Sequence, residues 1–291
     1  TTAREEEAMS ATTTTTTQVA RSRTRLALSD WWVLTKRNLL TYIRKPDLLV
    51  FSTIQPVMFV LLFVYVFGGA FEMILPANVT YVDFLIPGII VQTSIFAALQ
   101  TGVGLADDLQ KGLIERFKSL PMVRSAVLAG RTAADTVSVV IQIVLMVIVG
   151  VLIGYRLHEG ITEAVLAFLL IVAVGYTFTW VAAFAGLALK SVEAVQAATF
   201  TIVFPVIFVS SAFVPVDSMP GWIQPIARNN PMTIWVDTVR SLTLGDPFTD
   251  SPDPLFRSIP DLGALAWQSI AWIAVILAIA VPVGVRMYRR T

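Results

Sequence analysis

The stretch DDLQKGLIERFKSLPMVRSAVLAGR, residues 107–131, lies between two long apolar runs, and the rest of the chain is read outward from it. It carries Lys111, Arg116, Lys118, Arg124 and Arg131 beside Asp107, Asp108 and Glu115. Leu113, Phe117 and Leu120 fall at i, i+4 and i+7, so a helix puts them on one face. Pro121 ends or kinks that helix, because its ring removes an N–H and crowds the preceding turn. A short amphipathic helix held between two membrane spans suits contact with another protein. The competing reading is a solvated loop with one turn of helix.

The flanking composition is that of a membrane protein. The 291 residues are 56% hydrophobic and 14% charged, with a mean hydropathy of +0.74. Soluble chains carry about 25% charged residues. A net charge of +1 makes no case for nucleic acid. The absence of Cys excludes a disulfide framework, a thiolate nucleophile and any Cys metal site, and the single His158 leaves no His cluster. No G-x-x-x-x-G-K-[ST], H-E-x-x-H or G-x-S-x-G is present, so neither a catalytic site nor a metal or cofactor is expected in this chain.

Residues 1–27, with the run TTTTTT at 12–17, read as a disordered cytoplasmic tail without a cleaved signal peptide. Residues 28–45 read as an amphipathic helix capped by Ser29 or Asp30, making 28–47 an interfacial element. Trp31 and Trp32 suit the headgroup level. The fold class is then all-α and polytopic. Six transmembrane helices are placed at 48–68, 84–106, 133–154, 164–187, 195–214 and 264–285, each near the roughly 20 residues needed to cross the hydrocarbon. Pro56, Pro87 and Pro205 fall inside spans, and Gly150 with Gly154 offers a close-packing pair.

Charge sets the orientation. One side of this arrangement holds 17 Lys and Arg and the other holds 4. The basic side is expected to be cytoplasmic, together with both termini and residues 107–131. On the opposite side, 215–263 is long, and 214–245 is too apolar for an ordinary solvated loop. Pro215, Pro220, Pro225 and Pro231 divide it into pieces read as two short helices, either re-entrant or lying flat on the surface.

Few ionisable groups enter the spans, so no midplane proton or sodium relay is visible. Gln55, Gln92, Gln100, Gln142 and Gln196 are polar but uncharged. They either line a path or bond helices together, and interhelical bonding is the preferred reading for each. An apolar cavity with a few amides suits a greasy substrate.

Two stretches then carry a resemblance. One is DLQKGLIERFKSLPMVR, Asp108 to Arg124, continued by Gly130, Arg131 and Asp135. The other is FVP at 213–215, MPGWIQP at 219–225 and NPMT at 230–233, with Asp237, Arg240 and Gly245. Over roughly 28–290 the chain resembles the membrane subunit of a type-2 ABC transporter, in the daunorubicin-resistance-like branch of multidrug and lipid exporters. The resemblance implies a 48–290 permease domain working with a second permease copy or a related permease. It also implies separate ABC ATPase subunits that bind ATP and Mg2+. The coupling helix then lies within 107–120, with Leu113, Glu115, Arg116, Phe117, Leu120 and Pro121 at the ATPase contact. Export of a hydrophobic or amphipathic drug, lipid or polyketide-like substrate across a bacterial plasma membrane is the implied function. The first, second and fifth spans are the expected substrate path, with Phe51, Gln55, Phe59, Gln92, Phe96, Phe200 and Phe208 along it. The plainer reading is that these aromatics pack helix on helix. Two other functions stay open: a membrane anchor that assembles a complex without forming the route, and an ion-coupled secondary transporter.

Overall fold

A computed structural model of the chain describes residues 46–72, 75, 79–112, 124–245 and 259–290. The expected tail at 1–27 and interfacial helix at 28–45 lie outside the described residues. Every regular element among the described residues is helical. α1 (Pro46–Leu62) continues through a π-helical turn (Phe63–Phe67) into α2 (Gly68–Glu72). The long helices α3 (Tyr81–Gln110), α4 (Arg124–Ile153) and α5 (Ile161–Leu189) follow. α6 (Val192–Phe208) is shorter. A 3-10 turn (Val216–Ser218) and the short α7 (Gln224–Arg228) lead to α8 (Pro231–Leu244), and α9 (Leu262–Arg290) closes the bundle.

Among the described residues five helices are long and apolar enough to cross a membrane: Thr53–Glu72, Tyr81–Gln110, Gly130–Ile153, Ile161–Leu189 and Leu262–Tyr288. They coincide with five of the six expected spans, and the remaining one, 195–214, falls on the shorter apolar helix α6 (Val192–Phe208). The segment expected at 195–214 is a 17-residue helix that stops at Phe208. At 1.5 Å per residue it reaches about 26 Å, at the short end of the roughly 17–25 residues used to cross the hydrocarbon. The stop has a local cause. Asn230 Nδ2 donates to the carbonyls of Val206 and Val209, each at 2.6 Å, and Ser210 Oγ donates to Ile207 O at 2.5 Å. Carbonyls that a continuing helix would satisfy are therefore satisfied by side chains. The same Asn230 caps α8, its Oδ1 accepting from Met232 N at 2.9 Å.

The other helices overrun their expected ends, because hydropathy marks the apolar centre while caps decide where a helix stops. α3 begins at Tyr81, where Thr80 Oγ1 accepts from Asp83 N at 3.2 Å. α5 ends where Lys190 turns left-handed at φ 53°.

α3 is the central post. In its most apolar window 89% of residues are buried, against 11% for the first and last spans, so α1 and α9 lie at the periphery. α5 packs along α3 over the most extensive helix contact of the bundle. Small residues allow it: a Cβ built on Gly102 would lie 2.5 Å from Ala182 O, and one on Gly186 would lie 2.5 Å from Gly102 O. Backbone meets backbone there, as close crossings of membrane helices require. The expected Gly150–Gly154 pair is not such a contact. A Cβ on Gly150 would press Ile86 at 3.0 Å, but Gly154 faces open space and ends α4 at φ +119°. Within 214–245 the first part is largely exposed, with Trp222 and Ile226 at the surface. α8 is buried from Met232 to Leu244 and packs against α3, α5 and α9.

Candidate functional site

Four helices enclose a cavity of about 280 Å3. α1 contributes Gln55 and Phe59; α3 contributes Gln92, Phe96 and Gln100; α4 contributes Gln142; α6 contributes Gln196 and Phe200. Among the described residues no charged one lines it. Five residues expected on a substrate path, Gln55, Phe59, Gln92, Phe96 and Phe200, thus meet in one space. The Phe51 side chain lies outside the described residues. Phe208 is not in the wall: it stacks on Phe204 at 4.2 Å and on Phe213 at 5.0 Å.

All five span glutamines line this cavity. Interhelical bonding was the expected role, yet among the described residues none bonds another helix. Gln142 Nε2 donates to Ser138 Oγ at 3.4 Å within its own helix. The Gln92 side chain is buried, 5% exposed, and its Oε1 has no hydrogen-bond partner. A buried acceptor left unpaired is costly, so it marks a place where a bound molecule or water would be welcome. Gln100, Gln142, Gln196 and Thr199 also belong to the wall. The signal for the three glutamines was the clustering of amides in otherwise apolar spans; Thr199 carried none.

Above the cavity, phenylalanine rings form a ladder. Phe59 and Phe63 lie 6.2 Å apart, Phe63 and Phe213 4.8 Å, and Phe213 joins the α6 stack of Phe208, Phe204 and Phe200. The π-helical turn holds Phe63 and Phe67 5.5 Å apart at the α1 side. π-turns recur where a helix must present a side chain off its regular register.

The ladder ends at the turn 209–214, which is fastened to α3 and α8 by one buried cation. Arg240 is fully buried. Its Nε donates to Phe84 O at 2.8 Å, Nη2 to Ala212 O at 3.1 Å and Nη1 to Asp237 Oδ1 at 3.1 Å. Its guanidinium also lies 3.6 Å from the Phe84 ring centroid. Asp237 Oδ1 accepts from Ser211 Oγ at 2.7 Å. The cation is thus paired and hydrogen-bonded, as burial demands.

At the opposite end of the bundle a second set of charges ties α3 to α4. Arg131 pairs with Asp108 across the two helices and lies 3.5 Å from Asp135 on its own helix. Gly104 leaves room for the guanidinium. Lys111 Nζ meets Asp107 at 2.7 Å. That hydrogen bond, then the Asp107 charge, holds the Lys111 ammonium above its ordinary value. These groups bracket residues 113–123. Leu113, Glu115, Arg116, Phe117, Leu120 and Pro121 lie outside the described residues. Among the described residues no group of three or more His, Asp or Glu could hold a metal ion.

Comparison with known proteins agrees with this architecture. The ABC-2 type transporter family model matches residues 29–244. The chain is 30% identical over 253 residues to a daunorubicin resistance ABC transporter permease protein of Streptomyces coeruleorubidus, covering 87% of this chain and 83% of the relative. A probable doxorubicin resistance ABC transporter permease protein of Mycobacterium tuberculosis is 25% identical over 273 residues, 92% of each chain. A putative transport permease of Porphyra purpurea is 30% identical over 209 residues, 71% of each chain.

Proposed function

The chain belongs to the ABC-2 type transporter family, and from that premise we propose that it is the membrane permease of an ATP-driven exporter of hydrophobic or amphipathic molecules. The observation that carries this reading is the uncharged cavity walled by five glutamines and by Phe59, Phe96 and Phe200. Rings offer area to a flat apolar body, and amides offer hydrogen bonds without the desolvation cost of a buried charge. The permease names of the relatives from Streptomyces and Mycobacterium favour a drug-like cargo of the daunorubicin and doxorubicin kind.

This chain supplies the route and separate ATPase subunits supply the energy. A second permease copy or a related permease completes the transporter. ATP binding closes the ATPase pair, and residues 107–120 pass that motion to α3 and α4, which the Asp108–Arg131 pair joins. On this reading the protein sits in a bacterial plasma membrane with both termini and residues 107–131 in the cytoplasm. An impermeant label should therefore leave a cysteine placed at Lys118 unreacted in sealed cells and react with one placed at Asp250.

The function is tested by reconstituting the permease with its ATPase in vesicles and following anthracycline uptake. Transport should need ATP and both proteins, and the permease alone should hydrolyse none. Gln92→Ala should weaken cargo-stimulated hydrolysis by about threefold to tenfold, the worth of one hydrogen bond, without changing basal hydrolysis. Transport that persists without ATPase and follows an ion gradient would refute the proposal.

The ATPase contact is assigned to the Leu113, Phe117 and Leu120 face, with Glu115 and Arg116 beside it and Pro121 ending it. Truncating a buried interfacial aromatic costs roughly 2 kcal/mol, so Phe117→Ala should loosen the assembly about thirtyfold. A cysteine at Phe117 should crosslink to the ATPase. Normal assembly and export by Phe117→Ala would remove Phe117 from the contact.

A further inference from the structure

A second cavity lies apart from the glutamine-lined one, at the bundle end opposite residues 111–124. It holds about 270 Å3 and opens between α4 and α5, with α3 and α8 behind it. Ile143, Val147, Val151, Ala164, Ile171 and Val239 form its apolar wall. From Ile143 to Val151 the crevice follows α4 for eight residues, about 12 Å at 1.5 Å per residue. The surface around its mouth is apolar as well: Ile148, Leu152, Val165 and Leu169 are exposed on the same two helices. These belong to membrane-crossing helices, so that surface meets hydrocarbon.

The crevice has few polar groups, Tyr155 and Thr243 within it and Arg156 at its rim. Thr243 Oγ1 donates to Val239 O at 2.9 Å. Tyr155 is 4% exposed, and burial pushes its phenol up to about 12, so it stays neutral. Water would find little to bond, and an apolar cavity of this kind stays dry unless a hydrocarbon fills it.

The rim is different. Arg156 lines the cavity and is exposed. Its Nη1 donates to Val151 O at 3.2 Å and to Tyr155 O at 3.0 Å. Among the described residues its Nε and Nη2 have no acceptor and no carboxylate pairs with it. The backbone N–H of Arg156 donates to Asp83 Oδ1 at 3.0 Å, so the rim is fastened to α3 and cannot drift from the crevice. His158 and Glu159 on the loop and Glu163 in the first turn of α5 are the other titratable groups of this segment. The two glutamates disfavour a ligand of net negative charge.

We propose that this crevice is a binding site for a zwitterionic phospholipid, with an acyl chain between α4 and α5, its phosphate on Arg156 and its ammonium towards Glu159 and Glu163. Guanidinium and phosphate match in geometry and charge, and the apolar wall selects a chain over a soluble anion. On the orientation proposed above, the lipid comes from the outer leaflet. The site is independent of the exporter reading, because it needs only that α4 and α5 cross a membrane.

The full chain in detergent, stripped of lipid, is offered phosphatidylethanolamine or phosphatidylglycerol at equal concentration. Native mass spectrometry counts retained lipids and protein copies together. The unaltered chain should retain phosphatidylethanolamine in preference. Arg156→Gln should weaken retention about tenfold, as loss of a charged hydrogen-bonding partner does. Ala164→Phe, which fills the mouth, should abolish it with the copy number unchanged. The proposal is overturned if both variants retain lipid as the unaltered chain does. It is also overturned if phosphatidylglycerol is held equally well, or if the variants change copy number and not lipid, which would make the crevice a subunit contact.

Discussion

Arg240→Ala should be among the most destabilising single substitutions in the chain, at about 3–5 kcal/mol. The arginine is fully buried, and its removal takes a hydrogen bond from three acceptors at once. Phe84 O and Ala212 O each lose one donor, and Asp237 is left as a buried carboxylate with Ser211 but without its cation. The damage should centre on the turn 209–214, which Arg240 holds against the first turn of α3. Arg240→Lys should rescue little, since a lysine is a point charge and cannot fork to three acceptors in different directions. Asp237→Leu with Arg240→Met should be less damaging than Arg240→Ala alone, because no unpaired charge remains. Thermal unfolding of the detergent-solubilised protein reads all three. An unchanged midpoint for Arg240→Ala would mean that the network is not holding the turn.

Gly102→Leu should be comparably severe. The obstacle to a Cβ at Gly102 is the Ala182 carbonyl, and the obstacle at Gly186 is the Gly102 carbonyl, each at 2.5 Å. A flexible side chain could swing aside, but a helix backbone cannot, so α3 and α5 must separate along their length. Overpacking costs roughly 1–3 kcal/mol where neighbours can shift, and more is expected here. Gly69→Ala is the control: nothing lies within 4 Å of its Cβ position, so it should be neutral or slightly stabilising. Equal expression and equal unfolding midpoints for Gly102→Leu and Gly69→Ala would refute the close crossing.

Much of the fold was legible as composition. Hydrocarbon offers backbone groups no partners, so a chain that crosses it must do so as helices of about 20 apolar residues. That requirement wrote the five long spans, the polar stretch at 107–131 and the apolar 214–245 openly into the residue order. The glutamines were visible too, as amides where leucine would be expected. Their common destination was not. Helices apolar on nearly every side carry no periodicity to say which face meets which neighbour. Only packing brings Gln55, Gln92, Gln142 and Gln196 from four helices to one cavity. The stop at Phe208 was hidden for a related reason. It depends on Asn230, a side chain from another element that reaches back to the α6 carbonyls. Gly150 and Gly154 look equivalent in sequence, but one faces Ile86 and the other faces nothing. Local preference and hydropathy act along the chain and can be read there; a close approach, a borrowed cap and a shared cavity are relations across space, decided when the helices packed.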